Sequence, residues 1–209
     1  MRKKENWQLA ALLLGFIALN LWYFAVQQLL SPKVMVHVPL DDYIPFCEWF
    51  VIPYVVWYAY VFLAVVFFFF RDRASLMKLG TMIVAGMGVC LTIYTLCPNG
   101  IEFRPETFPR DNILTDLVGL LYRQDRPENV FPSIHVLNAL AVHMAVREST
   151  VLRKYRWVKW TSLVTMILIC MSTVFIKQHS VLDIFGGVAL CLALYPVIYR
   201  RKTRARQEA

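Results

Sequence analysis

The chain has 209 residues, 58% of them hydrophobic, and a mean hydropathy of +0.51. Soluble domains are about 45–50% apolar, and the excess here is concentrated in runs of spanning length, which excludes a soluble domain and predicts one all-α integral membrane domain over residues 1–209. The net charge of +8 does not imply a nucleic-acid partner, because the Lys and Arg residues cluster at the ends of apolar runs, where they act as topology signals.

Residues 7–30 form the first predicted span, interrupted only by polar residues such as Gln8 and Asn20. About 20 apolar residues cross a bilayer core. Met1-Arg2-Lys3-Lys4 precedes this run without a small-residue cleavage pattern, so a retained first helix is expected. Residues 31–49, with Pro32, Pro39 and Pro45, read as a loop. Residues 50–70 form the second span, stopped by Arg71-Asp72-Arg73. Residues 78–97 form the third, with Gly80, Gly86 and Gly88 permitting close helix contact.

The longest polar segment, 98–131, follows. Within it, residues 112–122 place Ile113, Leu114, Leu117, Leu120 and Leu121 at helical spacing, which predicts a short amphipathic helix at the membrane interface. Residues 132–146 form a short fourth span containing Asn138 and His143, and residues 160–176 and 180–199 form the fifth and sixth. The predicted fold is thus a six-transmembrane-helix bundle with one interfacial helix.

Six spans put both termini on one side. Of the 22 Lys and Arg residues, 16 then fall on the side of the termini and six on the other. The larger group marks the cytoplasm. The expected protein is multi-pass, in the plasma membrane, with cytoplasmic termini. His135 and His179 both fall at the opposite, non-cytoplasmic face. A titratable cluster at a membrane interface is a functional-site hypothesis by default.

Three residues there suit nucleophilic chemistry. His179 and Asp183 are four apart, so in a helix they share a face, and Asp183 would orient the imidazole. Pro132-Ser133 suits a helix start, with Ser133 as cap and free N–H groups forming an anion site near His135. One oriented base, one acid and a phosphate cradle suit phosphoryl transfer through a phosphohistidine. No carboxylate cluster suggests Mg²⁺, so chemistry without metal or other cofactor is expected. His143 reads as hydrogen-bonded inside the bundle and His37 as a loop residue. Cys47 and Cys97 fall near the same face, which leaves a disulfide between them open.

Pro132-Ser133-Ile134-His135, followed by Ser172-Thr173, five residues, His179, three residues and Asp183, resembles the signature of the type 2 phosphatidic acid phosphatase superfamily. The resemblance covers residues 101–187. It implies His179 as nucleophile, Asp183 as its orienter, His135 as acid to the leaving group, a six-helix fold and lipid phosphate substrates. Ile134 stands where that pattern has Gly, and Thr173 where it has the phosphate-binding Arg. The upstream Lys, six residues, Arg-Pro motif is incomplete: Cys97 and Gly119 occupy the Lys positions before Arg104-Pro105 and Arg126-Pro127. These departures resemble the branch containing inositol phosphorylceramide and sphingomyelin synthases. Candidates to replace the missing guanidinium are Arg126 and Arg104 first, because each precedes Pro, then Arg123 and Lys177.

The expected activity is hydrolysis of a lipid phosphate or pyrophosphate. A headgroup transferase of the same fold is the first alternative, and a non-catalytic lipid-binding or transport protein the second. The expected partners are a lipid phosphate substrate and membrane lipids. Substrate identity and oligomeric state are not legible in the sequence.

Overall fold

The computed structural model describes residues 2–200, with side chains from 6 to 199. The basic residues Arg201, Lys202, Arg204 and Arg206, counted as topology signals, lie outside the described residues. So do the side chains of Arg2, Lys3, Lys4 and Arg200.

The described chain is helical, as expected: α1 (Arg2–Leu29), α2 (Pro39–Tyr43), α3 (Val51–Arg71), α4 (Arg73–Leu96), α5 (Ile113–Gln124), α6 (Ile134–Glu148), α7 (Arg156–Phe175) and α8 (Val181–Tyr195). Two short strands, β1 (Val34–Met35) and β2 (Asn99–Gly100), pair in parallel, Val34 opposite Asn99 and Met35 opposite Gly100. They tie the end of α1 to the end of α4.

Five helical segments are long and apolar enough to cross a membrane: Asn6–Leu29, Glu48–Arg71, Arg73–Leu96, Arg156–Phe175 and Val181–Tyr199. The protein is therefore an integral membrane protein. The predicted fourth span, α6, is not among them. Its 15 residues reach about 22 Å, short of a hydrocarbon core of about 30 Å. The reason is its position: α6 packs against α3, α4, α7 and α8, and residues 136–142 are all buried. A helix sheathed by protein need not match the bilayer or be apolar enough to face lipid. The membrane-facing residues belong to the outer helices, as the exposed Leu21, Phe62, Leu63 and Phe185 show.

Helix boundaries differ from expectation where polar caps operate. Asp72 reads in the sequence as part of a stop. In the structure its carboxylate accepts from Ser75 N–H at 3.1 Å and Ser75 Oγ–H at 2.8 Å, so α4 starts at Arg73, five residues early. Ser149 Oγ–H also donates to Asp72, at 2.6 Å, which locks the α3–α4 corner to the α6–α7 corner. Helix α7 begins at Arg156, ahead of the predicted residue 160, without a side-chain cap at Tyr155.

Helix α5 forms where the amphipathic pattern predicts it. Asn112 caps it, accepting from Leu114 N–H at 2.9 Å and Thr115 N–H at 3.1 Å. Val118 and Leu121 pack on Val51, Tyr54 and Ile176, so α5 covers the bundle end that carries both histidines, while Ile113 faces outward. All five cysteines are free, and Cys47 and Cys97 are not bonded. His143 Nδ1 meets Ser162 Oγ at 3.1 Å inside the bundle, and His37 Nε2 meets Asp42 at 2.8 Å in an exposed loop.

Candidate active site

The starts of α6 and α8 converge. Their approach is close because Gly187 has no side chain: a Cβ there would lie 2.9 Å from the Ser133 carbonyl oxygen. Ser133 N–H donates to the Asp183 carbonyl at 3.2 Å, and its Oγ caps α6 by accepting from Val136 N–H at 3.4 Å. Tyr94, buried on α4, donates to the Pro132 carbonyl at 2.6 Å. Asn99 Oδ1 accepts from Val130 N–H at 2.9 Å and Phe131 N–H at 2.8 Å. The turn that leads into His135 is thus pinned from two sides.

His179 and Asp183 meet, but not on one helical face. His179 lies in the turn before α8, and Ser180 is the cap. Asp183 Oδ2 accepts Ser180 N–H at 2.9 Å and faces His179 Nδ1 at 3.1 Å. A capping carboxylate therefore holds the imidazole, because the cap folds the preceding residue back over the first turn. Asp41 reinforces the turn: its buried carboxylate accepts from Ser180 Oγ–H at 2.6 Å and Val181 N–H at 2.8 Å. His179 and Asp183 are both buried, at 6% and 0% exposure.

The other nitrogen of His179 points at the second histidine. His179 Nε2 lies 3.3 Å from His135 Nδ1 and 3.2 Å from Ser133 Oγ. His135 Nε2 meets the Tyr54 hydroxyl at 3.1 Å, and that hydroxyl donates to Asp125 Oδ2 at 2.9 Å. Each histidine is therefore backed by a carboxylate, His179 directly and His135 through a tyrosine. With its proton given to Asp125, Tyr54 is left to accept from His135 Nε2. With both rings neutral, His179 Nε2 and His135 Nδ1 face each other with lone pairs, and one added proton would bridge them. Nothing in the spacing of Tyr54 or Asp125 marks them in the sequence. Tyr54 is one of many aromatic residues in its span, and Asp125 one of several acids in the long polar segment.

The guanidinium candidates separate clearly. Arg104 is largely buried and lines the same cavity as the histidines. It donates through Nη1 to the Asp125 carbonyl at 2.8 Å and through Nη2 to Gln178 Oε1, and stacks 4.6 Å over the Tyr122 ring. Burial lowers its pKa from the ordinary value, while Asp125 opposes that shift. Arg126 is exposed at the rim, donating to the Gln27 carbonyl at 3.2 Å. Arg123 is exposed on α5 and does not line the site. Lys177 is turned away: its Nζ donates to the carbonyls of Asp41 at 2.8 Å and Ile44 at 2.5 Å. Burial draws its ammonium below the usual lysine value, against Asp41 and Asp42. Neither Arg123 nor Lys177 is brought to the histidines. Thr173 is fully buried and donates to the Cys170 carbonyl at 2.8 Å, so it presents no group to the site.

His135, His179, Arg104 and Arg126 line one cavity of about 320 Å³. It descends between α1, α3, α4 and α6. Along α4 it runs from Tyr94 to Ile83, a drop of about 16 Å, and its lower wall is apolar. A larger groove of about 1320 Å³ opens near Arg71 and Trp157, at the far end of α3 and α7, and contains none of these residues.

A polar mouth with two oriented imidazoles and a guanidinium, continuous with an apolar slot, matches the requirements of phosphoryl transfer on a lipid. No match is found among curated proteins or solved structures. The model of the PAP2 superfamily matches residues 75–207, well over half of the chain and inclusive of all three residues of the triad. The chain belongs to the PAP2 superfamily, a family of phosphatases and related phosphoryl-transfer enzymes.

Proposed function

We propose that the protein hydrolyses a lipid phosphate or pyrophosphate through a phosphohistidine on His179. The observation that carries this reading is the convergence of His179, His135 and Arg104 at the mouth of a cavity whose lower wall is apolar. His179 Nε2 attacks phosphorus while Asp183 holds Nδ1–H. The phosphorus–oxygen bond to the lipid breaks, and the leaving oxygen takes a proton from His135. Water, giving a proton to His135, then attacks phosphorus, the bond to His179 Nε2 breaks, and inorganic phosphate leaves the restored enzyme. The 3.3 Å between the rings is a direct contact, so a bound phosphoryl group must part them. The step needs one proton added to the pair: it stays on His135 Nδ1, with Nε2–H braced by Tyr54 and Asp125, and His179 Nε2 is freed as nucleophile. Each proton is thereby where the step needs it.

The basic residues flanking the other end of the bundle, among them Arg71, Arg73, Arg153 and Lys154, support a cytoplasmic end opposite the histidines and a site on the non-cytoplasmic face.

The test is product identity. Purified protein in detergent, with EDTA present, is expected to release inorganic phosphate from phosphatidic acid or another lipid phosphate. If a new phospholipid forms only when a lipid alcohol is added, and no phosphate is released, the headgroup transferase replaces this reading.

Tyr54→Phe isolates the brace on His135. We expect kcat to fall about tenfold with KM and melting temperature nearly unchanged, since one hydrogen bond to the general acid is lost and the ring stays packed. An unchanged kcat in steady-state assays would remove Tyr54 and Asp125 from the mechanism.

A further inference from the structure

Buried polar atoms are almost always hydrogen-bonded, and each one left without a partner costs about 1–3 kcal/mol. Among the described residues, eight buried side-chain nitrogen or oxygen atoms lack a partner. Six of the eight belong to residues lining the catalytic cavity: Trp57, Arg104, Glu128, Asn129, Asn138 and Gln178. Four of them sit at the mouth, near where phosphate chemistry is proposed. Trp57 and Asn138 do not. Asn138 follows His135 by three residues on α6, which places it about 4.5 Å deeper on nearly the same side of the helix. It is 4% exposed, and its amide makes no hydrogen bond among the described residues. Trp57 Nε1–H is also unpartnered, and its ring packs 4.5 Å from that of His135. Below them the wall turns apolar, with Phe16, Val61 and Ile83.

The cavity therefore has three levels: a charged mouth, one polar step, and an apolar slot. A substrate whose hydrocarbon began directly at the phosphate ester would bury the middle level against carbon and leave its polar atoms unpaired. Resting on the proposed phosphoryl-transfer reading, we infer that the lipid carries hydrogen-bonding groups within about one helical turn of its phosphorus. Asn138 and Trp57 select that feature. The substrate class is a lipid phosphate with an ester-, amide- or hydroxyl-bearing backbone, as in glycerolipids and sphingoid lipids, and not a polyprenyl phosphate or pyrophosphate. Sites built to pair a polar group discriminate strongly against analogues lacking it.

The test compares phosphatidic acid and ceramide phosphate with a polyprenyl pyrophosphate, on the full chain and on Asn138→Leu, which keeps side-chain volume and removes the amide. Binding is read by native mass spectrometry on His179→Ala backgrounds, so the result does not depend on turnover. Turnover is read in parallel on the His179-containing proteins. We expect the protein to prefer at least one backbone lipid over the polyprenyl lipid by about tenfold, and Asn138→Leu to bring that ratio close to one. A polyprenyl preference, or a ratio untouched by Asn138→Leu, would overturn the inference. Binding with the expected ratio but no His179-dependent turnover would instead sink the phosphatase reading and leave the selectivity standing. Phosphatidic acid and ceramide phosphate, as separate arms, tell an ester backbone from an amide one.

Discussion

His179→Ala is expected to lower turnover on the order of 10⁴-fold or more, down to the background left by binding and electrostatics alone. Among the described residues no other nucleophile is placed to replace it. Ser133 Oγ is 3.2 Å from His179 Nε2, but it caps α6 and is fully buried. His135 Nε2 is committed to Tyr54. The loss should be chemical and not structural, since the ring contributes little to folding once Asp183 keeps its bond to Ser180 N–H at 2.9 Å. A thermal melt of the variant should stay within a few degrees of the parent. The phosphoenzyme gives an independent reading. Brief incubation with ³²P-labelled substrate and an alkaline quench should label the parent protein, and an acid quench should strip the label, as for a phosphorus–nitrogen bond. Retention of more than about 1% of parental turnover by His179→Ala would place the nucleophile elsewhere.

How far the sequence carries this site depends on the distance over which its residues interact. Asp183 and His179 are four residues apart, and Ser133 and His135 two, so local spacing is enough to pair them. Even so, helical periodicity gives the wrong geometry for the first pair. His179 is outside the helix, and a cap supplies the contact that a shared face was expected to supply. The membrane helices are legible because hydropathy is a property of each segment alone. The exception is α6, where burial among four neighbours relaxes both length and polarity, and no single-segment pattern reports that. Tyr54, Asp125, Asp41 and Gln178 come from separate segments and meet only in three dimensions. Tyr54 and His135 are 81 residues apart, and Asp41 and Ser180 are 139 apart. Arg104 and Arg126 look alike in sequence, each before Pro. Folding buries one against Gln178 and Tyr122 and leaves the other at the rim.

That difference makes Arg104→Ala the second large effect, a fall in kcat/KM of about 10²–10³-fold, the usual cost of removing one preorganised donor from a charge-stabilising site. The guanidinium is held in place before substrate arrives. Two of its nitrogens are engaged by the Asp125 carbonyl and Gln178, its plane rests on Tyr122, and Nε has no partner. In the proposed mechanism it takes the part of the arginine that the superfamily's pattern would have at Thr173, a residue buried and bonded to the Cys170 carbonyl. Arg104→Lys should recover part of the loss, because an ammonium restores charge without the planar fork. Arg123→Ala and Lys177→Ala serve as matched charge removals outside the cavity, and Arg126→Ala as one at its rim. Arg123→Ala should lower kcat/KM by no more than about twofold, since an exposed charge acts weakly through water, while Lys177→Ala also removes the tie to the Asp41 and Ile44 carbonyls. Steady-state assays on this set decide the point. If Arg104→Ala costs no more than Arg123→Ala, phosphate is held by another group, and the rim residue Arg126 becomes the next to test.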